Sequence, residues 1–133
     1  MAGGQVFQDI LKTVKTIAMV GASPDRTKFS YGVLRVLNET GYDMIPVNPR
    51  PEIKEIRGLK VYPTLASIDR SVDMVEVFRR SEELIKIARE AVEISAKVLW
   101  GQHAGLSITR RFRFPQELPI GARRLRVMNQ HDG

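Results

Sequence analysis

A chain of 133 residues is long enough for one domain with a real core, and its lack of cysteine excludes disulfides and thiolate metal sites. Hydrophobic residues make up 43% and charged residues 27%, an ordinary balance for a globular protein, and no apolar run reaches the ~18 residues of a membrane span. The formal charge is +6, and six arginines against two acids in residues 101–133 put most of it near the C-terminal end. Such charge serves as a solvated basic face or as an attraction for phosphate-bearing ligands.

In "VFQDILKTVK", Val6, Ile10 and Val14 share one helical face with Phe7 and Leu11 beside them, which predicts a short leading helix. This region is too polar for a signal peptide, so the cytoplasm is the expected compartment. "TIAMV" is a run of the buried-strand type. It ends in Gly21-Ala22-Ser23 and enters a polar loop carrying Arg26 and Lys28. A helix follows over "SYGVLRVLNETG", with Tyr31, Leu34 and Leu37 on its apolar stripe, Ser30 as N-cap and Gly41 as its stop.

"YDMIPVNP" predicts a second strand, at a sheet position where the missing N–H of Pro46 is not needed. Residues 50–70 read as a connection of weak periodicity. "VDMVEVF" is a third strand, broken at "RRSEE". The clearest helix spans "SEELIKIAREAVEIS", capped by Ser81, with acids in its first turn and Leu84, Ile87, Ala88, Ala91 and Val92 as its apolar stripe. "AKVLWG" is a fourth strand, with Trp100 in the core, and "RLRVMN" a fifth. Pro115 and Pro119 break any long helix between those two.

Strands alternating with helices imply an α/β fold: a Rossmann-like three-layer sandwich with a parallel sheet of about five strands. Residues 1–133 are expected to form a single domain, with 104–133 an atypical Arg-rich C-terminal segment. Ligands of such sheets bind at the carboxyl ends of the strands, at the switch point. The predicted site therefore draws on Gly21–Ser30, Asn48–Arg50, Phe78–Ser81 and Gly101–Gly105.

Small residues at the first strand end let a ligand approach the backbone. The opening N–H groups of the next helix and its dipole favour an anion, and Arg26 and Lys28 add charge. This describes a phosphate site. The dinucleotide fingerprint G-x-G-x-x-G is missing, since "GASPDR" supplies only its first glycine. An NAD site also wants an acid at the second strand end, where this chain reads "VNPRP". Arg50 in that place suits a ligand with phosphate on its ribose, either NADP or coenzyme A.

"GAS…SYGVLRVLNETGYDMIPVNP", "VDMVEVFRRSEE" and "AKVLWGQ" together resemble the small CoA-binding domain proteins from about Thr16 to His103. The chain is more distantly similar to the CoA-binding domain of the succinyl-CoA ligase alpha subunit. The resemblance implies that Gly21, Ala22 and Ser23 line the CoA diphosphate and that Lys28 and Ser30 flank it. It implies that Asn48, Pro49 and Arg50 border the nucleotide, with Arg50 near the ribose phosphate. Val77, Phe78 and Arg79 would shape the far wall, and Gly101 and Gln102 the segment near the pantetheine. His103 is given no role, because the phosphorylated histidine of the ligases belongs to a separate domain.

No metal site is expected. There is no cysteine, P-loop, or paired histidine and carboxylate in the predicted cleft, so the reading is non-covalent binding of CoA or an acyl-CoA without catalysis by this chain alone. The alternative is an NADP-dependent oxidoreductase or a ligase fragment requiring a partner subunit. A specific nucleic-acid partner is not expected, for want of an aromatic stacking platform. Neither is a membrane. A homo-oligomer or a ligase partner is left open.

Overall fold

Strand β1 (Thr16–Val20) buries Ile17, Ala18 and Met19 completely in the computed structural model, which describes residue 9, residues 11–79 and 83–101, and the strand backbone of 117–120 and 123–129. A strand buried on both faces needs a layer on each side. Helix α1 (Phe29–Thr40) supplies one and helix α2 (Leu84–Glu93) the other. Strands β2 (Asp43–Val47), β5 (Met74–Val77), β6 (Val98–Gly101) and β8 (Arg123–Asn129) lie parallel to β1 in one sheet. A sixth strand, β7 (Glu117–Ile120), pairs antiparallel with β8 at the edge, giving the order β2-β1-β5-β6-β8-β7.

The expected three-layer sandwich with five parallel strands is present, and β7 is an addition to it. Pro119 sits within β7, opposite Arg124. An edge strand tolerates a proline because one side of it has no ladder to satisfy. The same holds for Pro46 in β2 at the other edge, whose carbonyl accepts the Tyr62 N–H at 3.0 Å.

Alternation along each strand sorts the core into two halves. On one face Ala18, Ile45, Val75, Val77 and Leu99 pack with Leu84, Ile87, Ala88, Ala91 and Val92 of α2. On the other, Ile17, Met19, Met44, Met74 and Trp100 pack with Leu34 and Leu37 of α1. Trp100 is buried, as its place at the end of an apolar strand predicts.

Helix α1 ends as expected. Gly41 takes φ 114°, its N–H donates to the Asn38 carbonyl, and the Tyr42 N–H donates to that of Leu37. This is a Schellman motif, and it needs a left-handed residue at that point. The start of α1 differs from expectation. The capping position is Lys28, with no side-chain cap bond, and Ser30 lies one residue inside the helix, buried. Ser30 is thus not an N-cap, because the chain turns into the helix two residues sooner. The expected Ser81 cap of α2 falls outside the described residues.

The connection after β2 holds more structure than its pattern suggests. β3 (Glu55–Ile56) and β4 (Leu59–Lys60) form a small antiparallel hairpin. Its two turn residues, Arg57 and Gly58, have φ of 53° and 79°, as a two-residue primed turn requires. Leu65–Ser67 is a 3₁₀ turn with a capping box between Thr64 and Ser67.

Polar side chains fasten the amino end of the sheet. Asp73 Oδ2 accepts the N–H groups of Lys15 at 2.8 Å and Thr16 at 3.1 Å. Arg70 donates twice to Asp43, at 2.7 and 2.8 Å, and holds that carboxyl below the usual carboxylate range. Replacing Asp73 by Ala strips two amides of a charged acceptor. A loss of about 1–3 kcal/mol in unfolding free energy is expected from urea titration. A variant as stable as the parent would show that water satisfies these amides equally well.

Candidate functional site

From β1 the chain passes through α1 to β2 on one side, then returns past β1 to β5 on the other. The carboxyl ends of β1 and β5 are therefore the switch point, where the connecting loops part and leave a crevice. A cavity of about 750 Å³ opens there, a size typical of small-molecule sites.

Gly21, Ala22, Ser23, Lys28 and Ser30 line it from the first loop. Asn48, Pro49 and Arg50 line it from the second, and Phe78 and Arg79 from the end of β5. Two expected residues, Val77 and Gly101, are not in this lining. Val77 is buried on the α2 side of the sheet, because alternation turns it away from Phe78. Gly101 ends β6, one strand beyond β5, and Gln102 lies outside the described residues. Arg26 is exposed on the loop and does not line the cavity. His103 is also outside the described residues.

Pro24, Asp25 and Phe29, which lie within the predicted Gly21–Ser30 segment without a role of their own, line the cavity as well, and so does Ile53, which sequence reasoning missed. For Asp25 a signal was present in the spacing Asp-x-Thr, which favours an Asx turn. Asp25 Oδ1 accepts both the Thr27 hydroxyl, at 2.7 Å, and the Thr27 N–H, at 2.9 Å. These bonds hold the Asp25 carboxyl below the usual carboxylate range. The Asp25 N–H in turn donates to Ser23 Oγ at 3.1 Å. The loop is thus shaped by its own side chains.

Asn48 joins the two loops. Its Nδ2 donates to the Ala22 carbonyl at 2.8 Å, and its Oδ1 accepts the Arg50 N–H at 2.9 Å. Gly21 has a second reason to be glycine besides ligand access. Its φ is 90°, and a Cβ there would come within 2.9 Å of both the Phe78 carbonyl oxygen and Arg79 Cδ. The Gly21 N–H donates to the Val47 carbonyl and the Phe78 N–H to that of Val20, so three strand ends converge on this residue.

Among the described residues the cavity lining carries three cations, Lys28, Arg50 and Arg79, against one acid, Asp25. Among the described residues Lys28 and Arg50 form no ion pair, whereas Arg79 is bound by Glu83. The first N–H groups of α1, at Phe29 and Ser30, have no partner within the helix and stand at the lining. Phe29 is 66% exposed and meets Phe78 with ring centroids 6.0 Å apart. A smaller cavity of about 140 Å³ lies against α2 and shares Gly21, Pro49 and Arg79 with the large one. Among the described residues no cluster of His, Asp or Glu could hold a metal, and no helix is long and apolar enough to cross a membrane.

The crevice thus combines small-molecule size with a cationic lining and a helix opening. A family described as "CoA binding domain" matches residues 15–120. Uncharacterized protein YneT of Bacillus subtilis (strain 168) is 45% identical over 98 residues, which is 72% of this chain and 70% of that protein. Acetate--CoA ligase [ADP-forming] of Methanocaldococcus jannaschii is 23% identical over 127 residues. That match takes in 88% of this chain but 18% of the ligase. Among solved structures, a hypothetical protein from Pyrococcus horikoshii OT3 superposes with a TM-score of 0.73 at 27% identity, over 97% of this chain and 84% of its own. With the family match running from just before β1 through β7, around a crevice of this build, the chain belongs to the CoA-binding domain family.

Proposed function

We propose that the chain binds coenzyme A, free or acylated, non-covalently in the crevice at the carboxyl ends of β1, β2 and β5, and performs no chemistry by itself. One observation carries this reading. Arg50, at the end of β2, lines the same cavity as Lys28 and the opening of α1, so two cations from different loops, neither in an ion pair among the described residues, face one ligand. A diphosphate alone would use the helix opening and Lys28. A second cation suits a further phosphate on the ribose. The cavity volume of about 750 Å³ accommodates a nucleotide of this class.

Family membership narrows the choice between the two ribose-phosphate ligands, NADP and CoA, toward CoA. The chain corresponds to a small part of the acetate–CoA ligase, so any acyl transfer is assigned to a partner that receives the bound cofactor. Residues 1–133 are read as one CoA-binding domain in a cytoplasmic setting.

Calorimetric titration with CoA, acetyl-CoA, NADP and NAD tests the reading. CoA is expected to bind and NAD to bind weakly or not at all. At a hundredfold excess over Kd, CoA should raise the unfolding free energy by about 2.7 kcal/mol. Saturable binding of NADP with no response to CoA would overturn the proposal in favour of an NADP-dependent activity.

A further inference from the structure

Arg79 lines both cavities, and its guanidinium is already taken. Nε donates to Glu83 Oε2 and Nη2 to Glu83 Oε1, each at 3.1 Å, and Nη2 lies 3.0 Å from Oε2. A guanidinium grips a phosphate with the same two-pronged geometry. Glu83 stands at the N-cap of α2 and makes no side-chain cap bond there, so its carboxylate serves Arg79 and not the helix amides. The two side chains are 40% and 41% exposed. A pair this exposed, at i and i+4, contributes little to stability and is readily exchanged.

We infer that Glu83 is an internal stand-in for a ligand phosphate, holding Arg79 at the crevice and yielding it to the phosphate group of an entering nucleotide. The inference rests on the proposed anion site. It makes Glu83 an affinity-setting residue that acts through Arg79. When Arg79 turns to the ligand, the wall between the large and small cavities moves with it, since that side chain lines both. Lys86, which also lines the small cavity, is the cation on α2 available to Glu83 once Arg79 has left.

The test is calorimetry on Glu83→Gln, Arg79→Ala and the double variant, with CoA and inorganic pyrophosphate as separate probes. Glutamine keeps the size of the side chain and removes the charge. Glu83→Gln should tighten both probes by about 2- to 10-fold, the lower part of the range of coupling within one ion-pair network, as suits an exposed pair. Arg79→Ala should weaken both, and the double variant should match Arg79→Ala, because no guanidinium is left to withhold. Tightening by Glu83→Gln that persists without Arg79 would mean simple repulsion of the ligand, and would overturn the inference. So would unchanged affinity in Glu83→Gln. If pyrophosphate follows the expected pattern while CoA binds to none of the proteins, the CoA reading falls and this one stands. Failure of both probes to bind overturns both.

Discussion

Gly21→Val is expected to cost about 2–5 kcal/mol of stability, the sum of a left-handed backbone and an overpacked contact. The glycine adopts φ 90°, and the new Cβ would lie 2.9 Å from the Phe78 carbonyl oxygen. That oxygen belongs to backbone held by the bond from the Phe78 N–H to the Val20 carbonyl at 2.8 Å, so it cannot retreat without opening the end of β1 and β5. Urea unfolding of the parent, Gly21→Ala and Gly21→Val measures the effect. Alanine should fall between the other two, since it carries the backbone strain and the first contact without the branched methyls. A valine variant within 0.5 kcal/mol of the parent would mean that the β1 turn relaxes freely. This substitution tests the scaffold, and a loss of ligand binding in it would not identify a contact.

Arg50→Ala separates the two. It should weaken CoA binding by about 10- to 100-fold, the worth of a charge-assisted contact of roughly 1.5–3 kcal/mol. Dephospho-CoA should bind parent and variant alike. The Asn48 clip uses the Arg50 backbone N–H, which alanine retains, so the loop keeps its anchor. Stability of the free protein should change by no more than about 0.5 kcal/mol, as for most exposed positions. Equal loss for CoA and dephospho-CoA would move Arg50 from the ribose phosphate to the diphosphate.

Much of this architecture was legible in the residue pattern. "TIAMV" and the "VLWG" of "AKVLWG" are apolar on both faces, "VDMVEVF" is apolar but for Asp73 and the fully buried Glu76, and only a doubly covered sheet buries both faces. The stripe of α2 is complete in its five buried residues. "RLRVMN" is in β8, parallel to β6 as a fifth strand should be. The β3–β4 hairpin escaped because two-residue strands are too short to show a period, and its signal lay in the turn pair Arg57-Gly58. β7 escaped because a proline argues against a strand unless the strand is known to lie at an edge. Ser30 was misplaced by two residues, since cap residues are chosen by the path of the entering loop.

At the site, the three segments could be listed from the strand ends alone. Their mutual fastening could not. The bond from Asn48 to Ala22 spans 26 positions, and the contact that forces glycine at 21 comes from residue 78. The Arg79–Glu83 pair is local, yet "RRSEE" offers two acids, and the pattern alone does not name Glu83 as the partner of Arg79.

The division between fastened and unfastened lining residues bears on how this fold could diversify. Gly21 and Asn48 hold the crevice open as a shape, through backbone carbonyls that any ligand would find in the same place. Lys28, Phe29 and Arg50 project from the same rim, and among the described residues no ion pair ties the charged groups of Lys28 or Arg50 to the scaffold. A library confined to these three positions would exchange one cargo for another on an intact frame. The same library at Gly21 and Asn48 would return destabilised chains. Ligand preference can therefore drift between relatives faster than their crevices do.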